Sequence, residues 1–206
     1  MTVNTTETKR QRGRKVAAIL AGGLVLGVGT MATLASWNDS EFATASFTGG
    51  KFNLVGSLNQ SGPFIDHPTA TPGTLSFTST FGNLQPGDTI YAPYALALGK
   101  DTSYAATVSV SAGTFNGSTT GLSYTLFTTA TAGCSATSVP VTTVVSNGTA
   151  LNSVGTPTSF NLAKPTAANT DGAPVYLCFK VTADTALVQG QTATPVWNFT
   201  ATSGVS

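Results

Sequence analysis

The sequence predicts an all-β protein, an antiparallel two-sheet sandwich of jelly-roll type that follows an N-terminal signal helix. Three observations point there. First, side chains alternate with a period of two: Tyr104, Ala106, Val108 and Val110 fall on one face, with Ala105, Thr107, Ser109 and Ser111 on the other. Second, nothing after residue 35 has helical period, and alternation with one wet face is the pattern of an antiparallel sheet. Third, Gly, Pro and Asn interrupt the chain at short, regular intervals, which sets many short strands apart by turns and favours a sandwich over a barrel.

The first 35 residues read as a signal peptide because their parts come in the order that export requires. Lys9, Arg10, Arg12, Arg14 and Lys15 precede an apolar core, Val16 to Val28. That core has the length of a signal h-region and falls short of the roughly 20 residues that span a bilayer. Thr33 and Ala35 put small residues before the cut, which is placed between Ala35 and Ser36 because Trp37 is too bulky to precede it. The alternative is an uncleaved anchor, since residues 16–35 carry no charge. Cleavage leaves one domain, residues 36–206, long enough to bury a real core.

The charge left behind excludes one class of function. Residues 36–206 hold Lys51, Lys100, Lys164 and Lys180 against Asp39, Glu41, Asp66, Asp88, Asp101, Asp171 and Asp184, a net of 4 − 7 = −3 with no arginine. Nucleic-acid binding needs clustered basic residues to displace counterions, so no nucleic-acid partner is expected. The basic cluster belongs to the signal, where it holds the N-terminus on the cytoplasmic side. Cys134 and Cys178 both lie after the junction, and one disulfide between them is expected in an oxidising exterior. Two buried free thiols are the competing reading. His67 with two lone cysteines makes no zinc set.

Strands are expected near residues 42–48, 51–57, 74–81, 89–98, 103–112, 122–129, 139–146, 158–162, 174–182 and 192–201. Leu122, Tyr124 and Leu126 form one apolar file and Val175, Leu177, Phe179 and Val181 another, while Trp197 and Phe199 sit in a less regular pattern. Gly49-Gly50, Pro72-Gly73, Gly99-Lys100-Asp101, Asn116-Gly117, Asn147-Gly148 and Asp171-Gly172 mark turns. In Gln85-Pro86-Gly87-Asp88, Pro86 presets φ and Gly87 can take the positive φ of a type II turn. Pro93 has no N–H, so the strand after this turn should be an edge or carry a bulge.

Three segments carry a family resemblance: TLASWNDS at residues 33–40, ATASFTGGKFNL at 43–54, and LQPGD at 84–88. With them the chain resembles the TasA/camelysin family over about residues 16–112. The resemblance implies a sandwich exported from a Gram-positive-type cell and cut by a dedicated SipW-type signal peptidase, its partner during export. It also implies that the chain is secreted to the extracellular space or cell surface, touching the membrane only through its signal segment before cleavage. Family members polymerise into biofilm matrix fibres, with the freed N-terminal strand completing the sheet of the next subunit. In this chain that implies a homopolymer joined by the segment bearing Trp37, Phe42 and Phe47. An ordinary first strand folded into its own domain is the plainer alternative.

Catalytic chemistry has little to stand on. The resemblance also raises a camelysin-like protease, but a hydrolytic zinc site needs about three ligands and a base, and the chain has one histidine and no HExxH. A serine hydrolase would need His67 with Asp66 behind it, and no GxSxG is present. Asp39, Glu41 and Asp88 offer oxygen ligands but read as solvated turn acids. The expectation is a structural surface or matrix protein with no catalytic residue, metal or cofactor. A monomeric glycan-binding domain using Tyr91, Tyr104 or Trp37 is the other alternative.

Overall fold

The computed structural model describes residues 12–20, 44–46, 49–78 and 83–204. The chain divides into two units, Met1–Phe47 and Thr48–Ser206. In the first, residues 12–20 are helical. Arg14, Lys15, Ala17, Ala18 and Leu20 are all good helix formers, which offsets the cost of Gly13. Residues 44–46 belong to no strand, and the rest of the strand expected near 42–48 lies outside the described residues.

The second unit is an all-β sandwich with eight strands among the described residues: β1 (Leu54–Ser57), β2 (Thr89–Leu98), β3 (Ala106–Gly117), β4 (Leu122–Thr129), β5 (Thr142–Ala150), β6 (Phe160–Leu162), β7 (Val175–Ala183) and β8 (Ala193–Ser203). One sheet has the order β1-β2-β7-β4-β5 and the other β6-β3-β8. Every ladder is antiparallel. The expected alternation becomes the core directly. Ala92, Leu96 and Leu98 of β2, Leu122, Tyr124 and Leu126 of β4, and Leu177, Phe179 and Val181 of β7 meet Ala106, Val108 and Val110 of β3.

Aromatic contacts show how the sheets cross. Trp197 of β8 packs on Tyr124 of β4 and Phe179 of β7, with ring centroids 5.3 and 4.6 Å apart. Phe199, two residues on, packs on Phe179 and on Tyr94 of β2, at 6.5 and 5.6 Å. One step along the inner face of β8 therefore moves from β4 and β7 to β7 and β2, so β8 runs across the strands of the larger sheet. The last strand is more regular than its sequence suggests, because Ala193, Trp197, Phe199 and Ala201 pack on the core while Thr194, Asn198, Thr200 and Thr202 are exposed.

One sequence-derived detail holds at the start of β2. The Asp88 N–H donates to the Gln85 carbonyl at 3.0 Å, and Gly87 has φ +92°, as a type II turn requires. The Asp88 carboxylate also accepts the Gln85 N–H at 2.7 Å. The expectation from Pro93 is corrected: β2 lies between β1 and β7 and keeps an unbroken register with β7, so it is neither an edge nor bulged. A proline is tolerated there because β1 pairs only with Ala95–Leu98, which leaves Pro93 a ladder neighbour on one side alone among the described residues.

Other expectations need correction. Residues 74–78, the described part of the strand expected near 74–81, join no ladder. They are nevertheless extended over the core in strand fashion, with Leu75 and Phe77 turned inward between exposed Thr74, Ser76 and Thr78. Asn147-Gly148, expected as a turn between strands, lies inside β5. The ladder slips there: Tyr124 pairs with Thr149 but Leu126 with Val145, which leaves Ser146 to Gly148 opposite the single Thr125. Thr125 fixes the bulge by donating its hydroxyl to Asn147 Oδ1 at 2.8 Å.

The other face of the large sheet is covered by loops. Cys178 of β7 is fully buried on that face and is disulfide-bonded to Cys134 in the β4–β5 loop. Beside it, Gln60 is 3% exposed in the left-handed region at φ 65°. Its Nε2 donates to the Leu177 carbonyl at 2.8 Å and the Tyr94 carbonyl at 3.2 Å, and its Oε1 accepts the N–H of Gly133. One amide thus ties the turn after β1, the β2–β7 ladder and the disulfide loop together, satisfying polar atoms that would be costly to bury unpaired.

Candidate functional site: the open edge of the small sheet

A sandwich has four edges, and exposed edge strands are templates for pairing with another chain unless something blunts them. Three of the four are blunted here. β1 has only four residues, and its outer side is bridged by Ile65, which exchanges two backbone hydrogen bonds with Gly56 at 2.9 and 3.0 Å. β5 carries the slipped register and the Ser146–Gly148 bulge. β6 has three residues.

β8 is different. It has eleven residues, contains no charged residue and, among the described residues, pairs only with β3. From Trp197 to Ser203 it runs in unbroken register with Ala112 to Ala106. Pro195, near its start and beside the β3 irregularity between Ala112 and Phe115, is the only residue in it without an N–H. The rest is a long edge whose inner residues are held by the aromatic cluster described above. Among the described residues it offers a neighbouring strand the longest uninterrupted row of main-chain donors and acceptors.

Two tyrosines behind this edge are held in their neutral form by burial. Burial pushes the Tyr94 hydroxyl up to about 12. Burial also raises Tyr124 to about 12, with the adjacent Trp197 indole pulling the other way. The Tyr124 hydroxyl donates to the Ser153 carbonyl at 2.8 Å. His67 packs edge-on against Tyr94, 6.4 Å between centroids. Gly56 and Gly73 make the slot for its ring: a Cβ at Gly73 would come within 2.8 Å of His67 Cδ2, and one at Gly56 within 3.1 Å of its Nδ1.

The residues expected to mark the junction, Thr33, Ala35, Ser36, Trp37, Phe42 and Phe47, lie outside the described residues. Cys134 and Cys178 are brought together as expected, with Cα atoms 5.1 Å apart. Sequence reasoning missed β8 as an edge and Gln60 as a strut. The first depends on strand order and the second on three loops meeting, neither of which leaves a local pattern. No family model matches the chain, and no curated protein matches it.

Proposed function

We propose that the chain is an exported structural protein of the cell surface or extracellular matrix, and that its N-terminal segment, freed by signal cleavage, joins subunits by adding to the β8 edge of a neighbour. The observation that supports this reading best is the edge itself, eleven residues without a charge in a protein that blunts its other edges. An incoming strand gains affinity from main-chain hydrogen bonds and register from side chains that enter apolar gaps. Phe42 and Phe47 are the residues assigned that role, with Asp39 and Glu41 as charges that slow uncontrolled stacking. A disulfide fits an oxidising exterior.

Two measurements test the proposal. N-terminal sequencing of secreted protein should begin at Ser36, and residues 1–35 intact on the secreted protein would reject cleavage. Purified chains starting at Ser36 and at Thr48 are then compared over days by light scattering and electron microscopy. Fibres or oligomers are expected from the longer chain alone. Persistent monomers from both, or equal assembly by both, reject the N-terminal strand as the joint. A lysine in place of Thr200 or Thr202 on β8 should slow assembly of the longer chain, because a charge on an edge strand opposes pairing.

A further inference from the structure

The chain is poor in charge, yet its ionisable groups are not spread evenly. Of the nine lysines and aspartates in the described sandwich, six lie toward one pole: Lys51, Asp66, Lys100, Asp101, Lys164 and Asp171. The other three, Asp88, Lys180 and Asp184, belong to β7 or to the turns at the start of β2 and the end of β7. That pole holds a cleft of about 350 Å³. Its polar lining is Asp66, Asp171, Lys100 and Asn53, and its apolar wall is Phe64, Ile65 and Val55.

The walls of the cleft are fixed by backbone bonds. Ile65 is held by its pair of bonds to Gly56, and the Gly99 N–H donates to the Asn53 carbonyl at 2.9 Å. The Gly172 N–H donates to the Leu98 carbonyl at 2.8 Å, which pins the loop that carries Asp171. Asp101 braces the rim from outside, with one carboxylate oxygen 3.5 Å from the Lys51 ammonium and the other accepting the Asn169 N–H at 3.4 Å. A glycine at 99 keeps the floor open, since a Cβ there would press on Asn53 and Val55 at 3.2 and 3.3 Å. A cleft held this way needs little rearrangement to receive a ligand.

We infer that this cleft binds a neutral saccharide of one or two pyranose rings. The lining decides the class. Two carboxylates against one ammonium disfavour phosphate and other anions. That ammonium, with only two acids present, makes a poor cage for a bare divalent cation, which takes six to eight oxygens. A purely apolar ligand would use only Phe64, Ile65 and Val55 and gain nothing from the four polar side chains, which are exposed or half-buried. A sugar hydroxyl both donates and accepts, so it satisfies the Asp66 and Asp171 carboxylates, the Lys100 ammonium and the Asn53 amide together. The C–H face of the ring then lies on Phe64 and Ile65. The site uses no residue of β8 and stands whether or not the chain assembles.

The test uses the mature secreted protein with cellobiose, maltose and N,N′-diacetylchitobiose as probes, followed by saturation-transfer NMR. Saturable binding of at least one probe is expected. Phe64→Ala, and separately Asp171→Asn, should weaken it about five- to tenfold, as loss of one charge-assisted bond or one stacking face would. Lys180→Ala, away from the cleft, should leave it unchanged, and unaltered melting temperatures would show that the variants fold. The inference is overturned if no probe binds, if the cleft variants bind as well as the parent, or if calcium alone binds and no saccharide does.

Discussion

Replacing Phe179 with alanine should cost about 3–5 kcal/mol of stability, the range for deleting a fully buried aromatic side chain. Phe179 is 0% exposed at the middle of β7, the central strand of the larger sheet. Its ring touches both Trp197 and Phe199 of β8. The loss thus combines transfer of the removed ring with a cavity that two large neighbours on the opposite sheet cannot both collapse into. Because those neighbours set the inner face of β8, the same substitution should loosen the edge offered for assembly. Urea unfolding of parent and variant measures the first effect, and hydrogen exchange along β8 the second. A loss under about 1 kcal/mol would mean that the two sheets do not depend on this contact.

The contrast between Phe179 and Gln60 shows what a one-dimensional pattern can carry. Alternation placed Leu177, Phe179 and Val181 on one face because a sheet has a strict period of two, and β2, β4 and β7 followed within a residue or so at each end. Burial on the opposite face has no such period. Ala95, Ala97, Cys178 and Phe127 are buried there only because loops from distant parts of the chain lie over them. Segment 74–78 makes the reverse point: a strand was expected there and Leu75 and Phe77 do pack on the core, but a ladder also needs a partner strand at the right distance. In β5 the pairing with Thr125 turned Asn147-Gly148, a good turn signal, into a bulge. The candidate edge was hidden for a related reason, since β8 reads like any other strand until its neighbours are known.

Removing the disulfide should have the second large effect. With the cysteines 44 positions apart, the chain-entropy account gives about 4 kcal/mol for Cys134→Ala with Cys178→Ala. The native state argues for somewhat less, because the loop has another anchor: Gln60 still holds the Gly133 N–H and still caps the Tyr94 and Leu177 carbonyls. The two restraints act on the same loop, so their losses should not add. With the disulfide intact, Gln60→Leu should cost about 1–3 kcal/mol, the penalty for leaving buried polar atoms unpaired. Without the disulfide, the loop is free to move and admit water, and the same substitution should cost less. Thermal or urea unfolding of the four proteins in this cycle gives the coupling directly. Strict additivity would show that the amide and the disulfide stabilise separate parts of the fold. An unchanged midpoint on losing both cysteines would show that the cover over β2 and β7 holds without its covalent tie.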